Sequence, residues 1–75
     1  MQGVVRDKAT GAPVPSALVK IRTHTGATDA VGSYKVRGTF SSGDTMIVNA
    51  PGYNIFTRTV RSTKEVVDIE LTKLD

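Results

Sequence analysis

The chain has 75 residues and no cysteine, which indicates one small domain and excludes disulfides and thiolate metal sites. Hydrophobic residues make up 39% of the sequence, enough for a folded core, and no apolar run approaches the roughly 18 residues of a membrane span. The net charge of +3 is unevenly spread, with +4 in residues 1–37 and −1 in residues 38–75, and this basic bias is weaker than the clustered Lys/Arg footprint of a nucleic-acid binder. We therefore expect no nucleic acid partner and no membrane insertion by this segment.

Seven short runs of alternating apolar and polar residues, rich in β-branched side chains, follow one another with turn formers between them. They span residues 3–6, 17–24, 27–29, 33–37, 45–50, 53–61 and 65–72. No segment shows the apolar period of about 3.6 residues that an amphipathic helix has. The pattern predicts an all-β sandwich or barrel, formed as a single domain over residues 1–75. Because a strand begins almost at Met1, we expect this domain to be part of a longer protein.

The turns of the chain are marked by aspartate, proline and glycine. A turn is predicted at residues 25–26, between the second and third strands. The next turn leads into the fourth strand, where Asp29 can accept hydrogen bonds from backbone N–H groups and Gly32 can supply positive φ. Pro51 and Gly52 form a type II signal, because proline presets φ at the first central position and glycine takes positive φ at the second. The residues predicted to serve these turns are Asp29, Gly32, Pro51 and Gly52.

The alternation within the strands also predicts which side chains form the core, since successive side chains of a strand point to opposite faces. Phe40, in the loop after the fourth strand, is expected at the edge of this core. The predicted core residues are Val5, Ala17, Val19, Ile21, Tyr34, Val36, Met46, Val48, Val67, Ile69 and Leu71.

Four basic residues alternate with core residues and are predicted to face outward. Lys20 and Arg22 belong to the second strand, and Lys35 and Arg37 to the fourth. If both strands lie in or near one sheet, these side chains form a positive patch that meets an acidic protein or polysaccharide. The alternative is a solvated face, neutralised by acidic neighbours such as Asp68.

Other candidate sites have less support in the sequence. His24 has neither a second histidine nor a supporting group, so no metal ligand set or nucleophilic triad can be built on it. Asp7, Asp29 and Asp44 fall in predicted loops, but calcium takes about six to eight oxygen ligands, and turn capping explains each aspartate alone. Two Tyr and two Phe, with no Trp, offer little for stacking sugars or bases. We expect no catalytic residue, no metal and no cofactor.

Several short motifs occur in an order and spacing typical of a known family. They are Gly3-x-Val5, Asp7, Thr10-Gly11, Pro13-Val14, Ala17-x-Val19-x-Ile21, Thr28-Asp29-x-x-Gly32-x-Tyr34-x-Val36 and Val48-x-Ala50-Pro51-Gly52-Tyr53. Together they cover nearly the whole chain, which resembles the carboxypeptidase regulatory-like domain. The resemblance implies a seven-stranded Greek-key β-sandwich of the transthyretin-like (prealbumin-like) type. It also implies a non-catalytic accessory domain whose shared residues are structural, so no binding residues are carried over.

The resemblance also sets an expectation for function. Relatives are attached to carboxypeptidases, outer-membrane receptors and microbial surface proteins, which implies an extracellular, cell-surface or periplasmic location. We expect a structural spacer, stabiliser or docking domain whose partners are neighbouring domains of a larger protein. The alternative is a module that binds an acidic protein or polysaccharide through the basic residues. Hydrolases of the neighbouring transthyretin-like family use several histidines, whereas this chain has one, which argues against an enzyme.

Overall fold

Among the residues that the structure describes, seven β-strands form where apolar and polar residues alternate, because each alternating run can bury one face of a sheet. The computed structural model describes residues 1–38, 40–61 and 66–74. Its strands are β1 (Gln2–Asp7), β2 (Leu18–Ile21), β3 (His24–Ala27), β4 (Ser33–Lys35), β5 (Thr45–Asn49), β6 (Phe56–Thr59) and β7 (Ile69–Leu71). The described residues contain no helix, and hence none long and apolar enough to cross a membrane. The prediction of an all-β domain with seven strands is confirmed.

The strands form two sheets around one core. The three-stranded sheet has the order β4-β1-β7, and the four-stranded sheet has the order β3-β2-β5-β6. The paired strands are antiparallel except for β1 and β7, which run parallel with Val5 opposite Ile69 and Asp7 opposite Leu71. The edge strands β3 and β4 contact each other and join the two sheets along one side.

The core contains every side chain that the alternation places inward, so this prediction is confirmed. Each of these eleven residues is at most 3% exposed. Four further apolar residues are buried with them, namely Val14, Phe40, Ala50 and Val60. Val14 lies in the loop between β1 and β2, where no alternation marks an inward position. Its burial therefore depends on how this loop folds back over the sheets.

The hairpin between β2 and β3 turns earlier than the sequence predicts. β2 ends at Ile21, which pairs with His24, so Arg22 and Thr23 form the loop. The predicted turn at residues 25–26 is therefore wrong. Arg22 takes a φ of +56°, in the left-handed region that such two-residue hairpin loops use.

Gly26 lies inside β3 for a reason that concerns the neighbouring sheet. A Cβ at this position would come within 2.6 Å of the carbonyl oxygen of Lys35 in β4. A backbone atom cannot move aside as a flexible side chain can, so only glycine allows β3 to approach β4 this closely. The glycine marks a contact between strands, and the local sequence does not distinguish this from a turn.

Five strands are shorter than predicted, and two of them, β2 and β5, end three residues and one residue before their predicted ends. β4 ends two residues before the predicted end of the fourth strand, and β6 begins three residues after the predicted start of the sixth. In place of a longer β6, Tyr53 forms an isolated bridge with Lys73. The seventh strand is also shorter, although its predicted start at residue 65 and the predicted turn at residues 62–64 lie outside the described residues.

Candidate functional site

The turn between β3 and β4 is held by one aspartate. The Oδ1 atom of Asp29 accepts hydrogen bonds from the N–H groups of Val31, at 3.0 Å, and Ser33, at 2.9 Å. The Gly32 N–H donates to the carbonyl oxygen of Asp29 at 3.0 Å. Gly32 has a φ of +80°, and a Cβ there would come within 2.5 Å of the carbonyl oxygen of Val5. These contacts set the direction of the chain and let the turn pack closely on β1.

The turn at Pro51 and Gly52 has the geometry of a type II turn. The Tyr53 N–H donates to the carbonyl oxygen of Ala50 at 3.1 Å, and Gly52 has a φ of +82°. The carbonyl oxygen of Gly52 accepts a hydrogen bond from the Leu74 N–H at 2.9 Å. The turn therefore also ties the last described residue to the body of the domain.

A carboxylate that the sequence places only in a loop is buried at the end of β1. Asp7 is 4% exposed, and its Oδ2 atom accepts a 2.8 Å hydrogen bond from the hydroxyl of Tyr53. Its Oδ1 atom accepts hydrogen bonds from the N–H groups of Ala9, at 2.8 Å, and Thr10, at 3.2 Å. The Tyr53 hydroxyl is the largest influence on the pKa of Asp7 and lowers it, with help from both N–H groups and the charge of Lys73, while burial opposes the shift. The same hydrogen bond to Asp7 raises the pKa of Tyr53.

The four basic residues of the predicted patch do not share a sheet. Lys20 lies on β2 of the four-stranded sheet, and Arg22 lies in the hairpin loop that follows. Lys35 lies at the end of β4 in the three-stranded sheet, and Arg37 comes after it. These four side chains therefore do not form one face of a single sheet. Arg22 is also engaged locally, because its Nε atom lies 3.1 Å from Oδ1 of Asp44. A role in binding for these side chains stays a prediction.

One side of the four-stranded sheet faces away from the core and is nearly free of charge. We call it the outer face, and it comprises Leu18, Lys20, Thr25, Ala27, Thr45, Ile47, Asn49, Thr57 and Thr59, all exposed. Lys20 is the only charged member of this set and lies between Thr25 and Ile47 on the neighbouring strands. Leu18 is 47% exposed and Ile47 is 39% exposed. A solvated sheet face normally carries polar residues, whereas here two large apolar side chains lie on adjacent strands beside a single charge.

The outward side of the three-stranded sheet has a different character. Arg6 on β1 stands in register with Glu70 on β7, and the Oδ1 atom of Asp68 accepts a 3.3 Å hydrogen bond from the Val4 N–H. Opposite charges on neighbouring strands favour each other and are typical of a face exposed to water. Of the two sheet surfaces, the outer face is therefore the better candidate for contact with a partner.

A shallow depression of about 400 Å³ lies on the part of the outer face nearest the β2–β3 hairpin. It is lined by Lys20, Arg22, Gly43, Asp44, Thr45 and Ile47. The Arg22 side chain on its rim is 67% exposed, whereas the Asp44 side chain is only 10% exposed. The Oδ2 atom of Asp44 also accepts a 2.9 Å hydrogen bond from the Ser41 N–H, which holds this carboxylate in place. The depression therefore presents a cation beside an apolar side chain and an ordered ion pair.

Comparison of the sequence with models of known protein families identifies the family of this chain. A family model described as carboxypeptidase regulatory-like domain matches residues 1–72. The chain belongs to the carboxypeptidase regulatory-like domain family. None of the curated proteins matches it. Carboxypeptidase regulatory-like domains are non-catalytic β-sandwich modules of larger proteins, and they typically occur in extracellular or surface proteins.

In this carboxypeptidase regulatory-like domain, the contact between Asp7 and Tyr53 is a polar feature that sequence reasoning missed. Both residues occur in the motifs that carry the family resemblance, which signals that each has a structural role. Their pairing has no local signal, because they lie 46 residues apart in the chain. The contact connects the end of β1 to the segment after the Pro51-Gly52 turn and so serves the scaffold.

The other residues considered for chemistry are also part of the scaffold of the domain. The His24 ring packs edge-on against Phe40, with ring centroids 5.2 Å apart. Asp7, Asp29 and Asp44 each accept hydrogen bonds from the backbone of their own turn. Within residues 1–38, 40–61 and 66–74, no group of three or more His, Cys, Asp or Glu side chains is placed to hold a metal ion.

Proposed function

We propose that this domain is a spacer and docking module of a larger exported or cell-surface protein, with the strand connections of a transthyretin-like Greek key. The observation that carries the spacer role is the parallel pairing of β1 and β7. Because parallel strands run in the same direction, the chain enters at the start of β1 and leaves past the end of β7, at the opposite end of the sandwich. The longest dimension of the domain is 33 Å. A domain of this form holds the segments on its two sides apart.

Hydrogen bonds at both ends support a rigid spacer. At the entry, the Val36 N–H donates to the carbonyl oxygen of Met1 at 2.8 Å, and the Val67 N–H donates to that of Gln2 at 2.9 Å. At the exit, the Asn54 N–H donates to the carbonyl oxygen of Thr72 at 2.9 Å. The chain is therefore anchored to the sheets up to its last described residues, which limits bending where neighbouring segments would join.

The outer face supports the docking role. A partner that covers Leu18 and Ile47 gains about 25 cal/mol for each Å² of apolar surface removed from water. Lys20, between them, favours a partner with an acidic group and disfavours a second copy of this chain, which would bring two lysines together. A polysaccharide would leave the two apolar side chains unused. The partner that fits best is therefore a protein segment with an acidic side chain flanked by apolar residues.

Replacing the domain within the complete gene product tests the spacer role. A Gly/Ser linker with the same number of residues lacks a fixed length, because such linkers behave as flexible coils. We expect the linker variant to lose surface assembly or protease resistance. An unrelated β-sandwich with a similar distance between its ends should restore the separation of the neighbouring segments, but it should not restore binding of the partner. Normal assembly of the linker variant would show that the domain is not a spacer.

Selection of peptides tests the docking role. The 75-residue domain is immobilised and exposed to a phage-displayed library of random peptides, from which we expect acidic sequences with apolar neighbours. Lys20→Glu should weaken binding of the selected peptide by about tenfold or more. Lys35→Glu is the matched control, because it makes the same charge change on the other sheet.

A second pair of variants checks the apolar contribution. Ile47→Thr keeps a β-branched side chain on β5 and should weaken binding, whereas Val66→Thr, at a residue that is 65% exposed, should not. Selection of sequences without acidic residues, or equal binding by Lys20→Glu, would contradict the docking role. Binding of a heparin oligosaccharide that depends on Lys20 and not on Ile47 would indicate a polysaccharide partner instead.

A further inference from the structure

We propose that the β1–β7 pair makes this domain resistant to tension between its two ends, an inference that rests on the proposed spacer role. A surface protein that connects a cell to its surroundings experiences pulling forces along its chain. Whether a small domain withstands such a force depends on which strand pairs lie between the two points of attachment. Here the first and last strands are directly paired, so a force on the two ends of the chain loads this pair along its strands, together with the contacts of β1 to β4 and of Thr72 to Asn54.

The direction of the force determines how this pair separates. A pull on the start of β1 and on the end of β7 acts along both strands in opposite directions and slides one strand against the other. Three register pairs, from Val5 and Ile69 to Asp7 and Leu71, then resist together. A pull across the strands at one end of an antiparallel pair would instead separate the register pairs in sequence.

Contacts on the other side of β1 oppose the same sliding motion. The Val5 N–H donates to the carbonyl oxygen of Gly32 at 2.8 Å, and the carbonyl oxygen of Val5 accepts from the Val14 N–H at 3.0 Å. β1 is also paired with β4, so it lies between two strands. Val5, Ile69 and Leu71 are at most 1% exposed. Water is thus kept from the apolar side of the pair, where it would compete for the hydrogen bonds.

Single-molecule force spectroscopy with two attachment geometries tests the proposal. The chain has no cysteine, so handles can be attached at introduced cysteines. One version is pulled from its two ends, and the other from Thr45→Cys and Thr59→Cys, which stand opposite each other on β5 and β6. We expect unfolding from the ends to need about two- to threefold more force, since three pairs break together. Equal or lower force from the ends would overturn the proposal.

A pair of matched variants locates the resistance. Ile69→Val and Ile21→Val remove the same methyl group from fully buried positions, the first on β7 and the second on β2. Both should lower the thermal midpoint, but only Ile69→Val should lower the force needed from the ends. Equal loss of force in both variants would overturn the proposal. Failure of either force test leaves the spacer role standing if the linker replacement still abolishes assembly.

Discussion

At the scale of single residues, Asp7 connects the protonation state of the domain to the contact between β1 and Tyr53. Its carboxylate is buried and accepts hydrogen bonds from Ala9, Thr10 and Tyr53. These bonds favour the charged form of Asp7, whereas the bond donated by Tyr53 favours the neutral form of the phenol. Stability should therefore depend on pH at both the acidic and the alkaline end of the range.

Asp7→Asn tests the acidic side. Because the pKa of Asp7 is lower in the folded state, its contribution is present above the unfolded value of about 3.9 and is lost as pH falls through the folded value. The thermal midpoint of the wild type should therefore fall more steeply than that of Asp7→Asn below about pH 4. Melts followed by circular dichroism across this range measure the two slopes, and parallel curves would contradict the role given to Asp7.

Tyr53→Phe tests the alkaline side. Because the pKa of Tyr53 is higher in the folded state, its contribution is present below the unfolded value of about 10 and is lost as pH rises above it. We expect Tyr53→Phe to melt several degrees lower at neutral pH and to show less additional loss above about pH 10. The pKa of Asp7, followed by NMR of its carboxyl carbon, should rise in this variant, and an unchanged pKa would refute the contact.

Gly32→Ala and Gly52→Ala separate backbone conformation from steric clash. The two glycines have nearly the same φ, +80° and +82°, but a Cβ would meet a carbonyl oxygen at Gly32 and nothing within 4 Å at Gly52. Gly52→Ala should cost roughly 1–2 kcal/mol of unfolding free energy, the cost of left-handed geometry for an L-residue. Gly32→Ala should cost clearly more. Urea denaturation compares the two variants, and equal losses would show that the turn moves away from β1 without cost.

At the scale of elements, β2 and β5 show how one strand pair serves the core on one side and the outer face on the other. Val19 stands opposite Val48 and Ile21 opposite Met46, and all four are fully buried. The alternate residues of both strands are exposed on the outer face. A shift of register by one residue would exchange the two sets, so burial of the inner set also determines which residues lie on the outer face.

Ile21→Ala and Ile47→Ala test this division with the same substitution on adjacent strands. Ile21 has no exposed surface, so its truncation should cost roughly 2–5 kcal/mol from lost transfer energy and the cavity left behind. Ile47 is 39% exposed, so its truncation should change stability by only about 0.5 kcal/mol. Denaturant unfolding of both variants gives the comparison. Similar losses would mean that Ile47 is covered within the domain and is not available to a partner.

At the scale of the whole molecule, the separation of the two ends follows from the parallel pairing of the first and last strands. Spin labels at Gln2→Cys and Thr72→Cys, both at exposed positions, report this separation directly. We expect one narrow distance distribution, because β1 and β7 belong to the same sheet and the exit is tied to Asn54. A broad distribution of the distance between the two labels would show that the ends move independently, and it would contradict a rigid spacer.

Much of the fold could be predicted from the sequence, because sheet formation leaves a local signal of period two. The eleven core positions follow from this alternation, since apolar side chains that repeat every second residue share one face. The turns that contain Gly32 and Gly52 are likewise predicted by the nearby Asp29 and Pro51, and both glycines take positive φ. What the sequence determined by itself is therefore what depends on residues close together in the chain.

The tertiary structure decided which strands become neighbours and what their outward faces carry. Lys20 and Lys35 share the same local pattern, but strand order places them in different sheets. The local sequence predicts a turn at Gly26, whereas the structure places this glycine inside a strand and in close contact with β4. Asp7 accepts a hydrogen bond from Tyr53, which lies 46 residues away in the chain. The parallel pairing of β1 with β7, on which the spacer role depends, joins the two extremes of the chain. Such contacts are selected by the packing of the whole core, and no periodic pattern within a strand records which distant strand will lie beside it.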